Sequence, residues 1–114
     1  MKLMILSHND RLKQDNNKWS WADIGIKHIE ESDELLEAIA EEDMRHIAEE
    51  VLDEIQVCVG ILDKLEREGI NIEQIFLRHN EKLVNREWKG KGVVKIQWQR
   101  NVQSVEDHIM RSTT

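Results

Sequence analysis

Two acidic runs hold the residue types and spacing that could do chemistry in this 114-residue sequence: Glu30-Glu31-Ser32-Asp33-Glu34 and Glu49-Glu50-Val51-Leu52-Asp53-Glu54. Acids three apart share one face of a helix, so Glu31 pairs with Glu34 and Glu50 with Asp53. If both pairs met within ~5 Å, each carboxylate pair would repel by about 3 kcal/mol at an effective dielectric near 20. A hard divalent cation with oxygen ligands offsets that repulsion. Magnesium is the default where phosphate oxygens and water complete the coordination, with Mn2+ as the substitute.

Whether the pairs meet depends on the chain between them. On one straight helix Glu31 and Glu50 would stand about 28 Å apart at ~1.5 Å per residue, too far for one centre. A turn near Glu42 changes this, because Glu34 and Glu50 are equidistant from it, as are Glu31 and Asp53. An antiparallel hairpin therefore brings all four level. Asp43 is an acceptable N-cap for the returning helix.

Any one of these acids alone reads as part of a solvated face with ordinary partners such as Lys27 or Arg45. Two pairs placed symmetrically about one turn and bordering apolar stripes favour a shared centre instead. Glu54, Asp33 and Glu37 read as solvated.

The elements that must position the acids have their own signals. Ser20 can cap a helix with Asp23 returning the hydrogen bond, Trp19 and Ile24 form a hydrophobic staple, and Ile26, Ile29, Leu36 and Ile39 keep one side apolar. The predicted helix spans about 21 to 40. From Asp43 to Arg67 a broad apolar stripe including Ile47, Val51, Ile55, Cys58 and Leu62 predicts the most buried helix, ending at Gly69. Asn71 with Gln74, and Ile70 with Ile75, predict a third helix to about Arg86. Beyond the basic break Gly90-Lys91-Gly92, Trp98, Val102, Val105 and Ile109 suit a final helix, although Val93 to Trp98 could be extended. Leu3 to Lys13 reads as a short helix, with Gln14 to Lys18 connecting it to the next. The expected fold is all-α: a compact helical bundle of four or so helices built on an antiparallel helix hairpin. It forms one domain over 1–114, with a core of about 19–88 and an extension of about 91–114.

Composition agrees. The chain has no proline, no tyrosine and one phenylalanine, a balance that favours helices over a sandwich of short strands. A formal net charge of −7 argues against a direct grip on DNA or RNA, since phosphates call for a basic face. Any phosphate ligand is expected to arrive with a cation. The single cysteine, Cys58, cannot form an intrachain disulfide and reads as a buried thiol, which fits a reducing cytoplasm. The apolar start Leu3 to Leu6 is shorter than a signal-peptide core, and no stretch suits a membrane span.

Aromatic and imidazole side chains offer weaker signals. Trp19 or Trp21 could stack on a nucleobase, though such residues more often anchor cores or interfaces. Trp88 and Trp98 read as packing residues. The five histidines are scattered without the spacing of a zinc site.

Taken together, the two acidic motifs resemble those of the MazG-like, all-α nucleoside triphosphate pyrophosphohydrolases, whose pattern is E-E-x-x-E, a spacer, then E-x-x-D. Glu30, Glu31 and Glu34 fill the first motif, Glu50 and Asp53 the second, and fifteen residues separate them. The stretch His79 to Trp88 is similar to the family's closing segment, in which a lysine and an arginine four apart face the phosphates; here these are Lys82 and Arg86. The resemblance covers about Trp19 to Trp88. It implies that Glu31, Glu34, Glu50 and Asp53 are magnesium ligands, that Glu30 supports the ions or a water, and that Glu30 or Glu34 orients or deprotonates that water. It further implies hydrolysis of a nucleoside triphosphate to the monophosphate and pyrophosphate, a role in nucleotide-pool housecleaning, and a homodimer or homotetramer.

Two other readings make different demands. A di-iron or di-manganese carboxylate bundle wants Glu-x-x-His on two helices, whereas this chain offers only Asp43-Met44-Arg45-His46. A non-enzymatic helical adaptor that dimerises through apolar faces requires the acidic pairs to be exposed and to bind no metal.

Overall fold

Side-chain capping sets where the helices begin. In a computed structural model, which describes residues 1–111, the Ser20 hydroxyl accepts from the Asp23 amide at 3.1 Å while the Asp23 carboxylate accepts from the Ser20 amide at 3.0 Å. This capping box opens α1, Trp21–Glu41. Asp43 caps α2, Met44–Arg67, by accepting from the His46 amide at 3.2 Å. Only Glu42 and Asp43 separate the two helices. Glu42 makes the reversal in the left-handed region, φ 57°, where a side chain is tolerated at a cost.

The far end of α2 closes in a Schellman motif: Ile70 N–H donates to Leu65 C=O, and Gly69 N–H to Glu66 C=O, both at 3.0 Å. Gly69 takes φ 93° there, as such a closure requires. Asn71 then caps α3, Ile72–Asn85. It accepts from the Gln74 amide at 3.1 Å. The same closure ends α3 through Glu87 at φ 67°, with Trp88 N–H donating to Leu83 C=O.

Two expectations at the ends of the chain are corrected. Leu3 to Lys13 is not a helix: His8–Asn9 (β1) pairs antiparallel with Gln14–Asp15 (β2), and a 3-10 turn follows at Asn16–Lys18. Short polar side chains win the backbone away from helix in this stretch. The Asn9 side-chain oxygen accepts from the Leu12 amide at 3.0 Å, and Lys13 turns at φ 55°. At the other end the last helix, α4, covers only Val105–Arg111, capped by Ser104, so Trp98 and Val102 precede it in irregular chain. Residues 112–114 of the expected extension lie outside the described residues.

Both terminal segments are tied to α2. The Gln56 amide donates to Met4 C=O at 2.7 Å and Arg67 to Asn17 C=O at 3.4 Å. Buried Asp63 pairs with Arg67 and with Arg100, each at 3.1 Å, and Arg100 lies over the Trp98 ring. Lys64 lies over the Trp21 ring at 5.1 Å.

The main packing is α1 against α2. Ile24 and Ala38 of α1 are buried, and Leu35 between them is half-buried. The predicted stripe faces elsewhere: Ile26, Ile29 and Leu36 are 60%, 61% and 64% exposed, and Ile39 is exposed as well. At 100° per residue this second stripe lies about a third of a turn from the first, so α1 has two apolar faces and α2 covers one. α2 is the most covered helix, as expected, but only Asp63 in it is fully buried. Its stripe is half-buried at Ile47, Val51, Val59 and Leu62 and open at Leu52, Ile55 and Cys58. The expected burial of Cys58 is thus overturned: among the described residues no element covers that side of α2. No helix among the described residues is long and apolar enough to cross a membrane.

Candidate metal centre

The two-residue turn sets the register of the acids. Glu34 and Glu50 each lie eight positions from residue 42, Glu31 and Asp53 each eleven, so the antiparallel helices carry them to a common level. One carboxylate oxygen from each of Glu31, Glu34, Glu50 and Asp53 lies within 4.8 Å of all the others. Glu31 is 7% exposed. Glu50 is half-buried, while Glu34 and Asp53 are open to solvent.

Each of the two more covered acids divides its oxygens between two tasks. Glu31 Oε1 pairs with Lys27 Nζ at 2.9 Å, and Glu50 Oε1 with His46 Nε2 at 3.3 Å. Their Oε2 atoms are buried and accept no hydrogen bond among the described residues. A buried carboxylate oxygen without a donor is costly. Glu34 registers the crowding: Glu31 first, then partial desolvation and Glu50, hold its carboxyl above the ordinary carboxylate range. A proton on Glu34 would serve Glu31 or Glu50, and so would a cation. The donors are all carboxylate oxygen, the set that hard Mg2+, Ca2+ or Mn2+ prefers over zinc or copper. The residues therefore fit a divalent metal.

A second bridge holds the hairpin one step from this centre. The His28 imidazole meets Glu54 Oε1 at 2.6 Å, and the Ser32 hydroxyl donates to Glu54 Oε2 at 3.2 Å. Glu54, expected to be solvated, is instead half-buried between α1 and α2. Sequence gave it no special status because its partners are contributed by the other helix.

The remaining candidates are not part of the four-acid cluster. Glu30 is exposed on the outer side of α1 and approaches Lys27 at 3.8 Å. Trp21 lies at the start of α1, about 15 Å from Glu31 by helical rise, under the Lys64 ammonium; Trp19 is half-buried just before it. Lys82 and Arg86 are exposed on and just beyond α3, and among the described residues neither makes an ion pair with any of the four acids. Two bases that spacing does point to, Lys27 and His46, each sit four residues before an acid of the cluster on the same helix face.

The family model described as the MazG nucleotide pyrophosphohydrolase domain matches residues 25–90, a span that holds both acidic motifs and all of α2 and α3. No curated protein and no solved structure matches the chain. Since the matched span is more than half of the 114 residues, the chain belongs to the MazG nucleotide pyrophosphohydrolase family.

Proposed function

We propose that this protein is a Mg2+-dependent nucleoside triphosphate pyrophosphohydrolase that converts a ribo- or deoxyribonucleoside triphosphate and water to the monophosphate and pyrophosphate. The observation that carries this reading is the convergence of Glu31, Glu34, Glu50 and Asp53 within 4.8 Å, with two buried oxygens lacking donors. Family membership supplies the substrate class. Housecleaning of the nucleotide pool, in a reducing compartment such as the cytoplasm, is the physiological role this reading favours.

Glu31, Glu34, Glu50 and Asp53 would hold the metal, with Mn2+ able to replace Mg2+. Bound magnesium supplies charge neutralisation of the triphosphate and acidifies water. Glu34 or Glu30 would orient the attacking water and accept its proton. Glu30 contributes negative charge at the outer edge and shares Lys27 with Glu31. Lys82 and Arg86 would stabilise the leaving pyrophosphate, and Trp19 or Trp21 would stack on the base. Among the described residues none of these last four is paired with the acids, and a pocket completed by association would bring them to the centre.

A homodimer or dimer of dimers is consistent with the surface. The described chain exposes 9909 Å², against about 6,500 Å² expected for a folded monomer of 13.5 kDa. The excess is of the order buried in obligate interfaces, roughly 2,000 Å² and more. The open stripe Ile26, Ile29, Leu36 and Ile39 is the face best suited to it.

A non-catalytic adaptor would also use that stripe but would leave all four acids exposed, whereas Glu31 is buried and Glu50 largely covered, with Glu34 and Asp53 open. The deciding experiment incubates the protein with a panel of nucleoside triphosphates and magnesium and identifies products. Monophosphate with pyrophosphate supports the proposal; orthophosphate release, or inertness across the panel, overturns it.

A further inference from the structure

The acids of the centre are themselves held, and from the same side of each helix. Lys27 lies four residues before Glu31 on α1, and His46 four residues before Glu50 on α2. Because the helices run antiparallel, these two bases bracket the four-acid cluster from opposite ends. Each takes one oxygen of its carboxylate and leaves the other buried and without a donor, and both carboxylates belong to the group of four.

The bases are in turn anchored. Lys27 Nζ also approaches Glu30 at 3.8 Å, and His46 Nδ1 meets Glu41 Oε2 at 3.2 Å. With both ring nitrogens facing carboxylates, His46 cannot rotate about its ring axis without losing a partner. A carboxylate gripped at one oxygen has its terminal torsion fixed, a torsion that is otherwise broad. Partners of this kind outside a metal's ligand shell orient the ligands and tune affinity.

We infer that Lys27 and His46 are positioning residues of the metal centre, which fix the Glu31 and Glu50 carboxylates so that the buried oxygens point at the cation. This rests on the reading of the four acids as a metal site. Charge alone predicts the opposite for Lys27: a cation one carboxylate away repels a divalent ion, so its removal should tighten metal binding. The sign of the effect therefore separates orientation from counter-charge.

The test measures Mn2+ binding to the full chain, without nucleotide, by calorimetry and by the loss of the free-ion electron paramagnetic resonance signal. Lys27→Met and His46→Leu are expected to weaken Mn2+ binding by about 10- to 100-fold, while Lys27→Arg and His46→Gln, which keep a donor in place, recover most of the wild-type affinity. Tighter or unchanged binding in Lys27→Met and His46→Leu overturns the positioning role. Weakening that the conservative variants fail to recover also overturns it. Glu50→Gln serves as the control for the site. If wild-type protein binds no Mn2+, or if Glu50→Gln binds it normally, the metal centre itself fails and this inference with it. If Glu50→Gln loses the ion but Lys27→Met and His46→Leu do not, only the positioning role fails.

Discussion

His28 and Glu54 join the two arms of the hairpin by a 2.6 Å contact between imidazole and carboxylate, and the Ser32 hydroxyl takes the second Glu54 oxygen. This cross-helix bridge resists sliding of α1 against α2 immediately beside the four acids. Glu54→Ala removes both interactions and leaves a half-covered serine and histidine behind. Allowing for solvent at His28, the expected cost is about 1 kcal/mol, read as a lower urea midpoint with unchanged slope. A full-sized effect in Glu54→Ala that is absent from His28→Ala and Ser32→Ala together would contradict the bridge.

Glu50→Gln and Asp53→Asn are expected to abolish pyrophosphate release while keeping the helical circular dichroism signal. Each change preserves shape and removes one charge from the centre. Turnover surviving both would show that the ligands lie elsewhere.

Two groups make the stability of the metal-free protein depend on pH. Glu34 has its proton affinity raised by Glu31 and Glu50, so the folded state holds that proton more tightly than the unfolded chain does. The stability contribution of Glu34 is present below the ordinary glutamate range and is lost as pH rises through its raised value. His46, raised chiefly by Glu41, contributes stability below its ordinary value of 6.5 that is lost as pH climbs past its folded value. Thermal midpoints recorded without metal across pH 4 to 9 should therefore show two falling limbs with rising pH. Glu34→Gln should erase the acidic one and His46→Gln the near-neutral one. Added Mg2+ should also stabilise wild-type protein more than Glu34→Gln.

The open stripe on α1 predicts association. Ile29→Glu or Leu36→Glu places a charge on a face that is already 61% or 64% exposed in the single chain, so a monomer loses little by either change. In an assembly the same charge is buried. Sedimentation is expected to move to the monomer mass in both variants, and unchanged mass would mean that another surface forms the contact.

Glu42 turns at φ 57° between the helices. Glu42→Gly relieves the left-handed strain at about 1 kcal/mol and should raise the urea midpoint without altering metal affinity. A lower midpoint would indicate that the Glu42 side chain contributes more than its backbone costs.

The capping residues made much of this fold legible in advance. Ser20, Asp43 and Asn71 open three helices where their side chains allow, and Gly69 ends one where a left-handed residue is needed. The level of the four acids followed from counting residues to the turn. What was misjudged depended on tertiary surroundings. Periodicity finds an apolar stripe on α1 at Ile26, Ile29, Leu36 and Ile39 but cannot say that the neighbouring face with Ile24 and Ala38 is the one that is buried. Leu3 to Lys13 reads as a helix from the sequence, while in the structure the Asn9 side chain holds the Leu12 amide in a turn. Glu54 could not be separated from its acidic neighbours, because what distinguishes it is the arrival of His28 and Ser32 from another helix.

The short reversal at Glu42 and Asp43 gives the centre an unusual sensitivity. Most surface connections accept an extra residue with little harm. Here a single residue inserted within either helix between the reversal and its acids would rotate one pair about 100° and advance it ~1.5 Å relative to the other, sending its carboxylates around the helix and out of the four-acid cluster. The exposed helical turns on either side of the reversal are thus where length is under the tightest control.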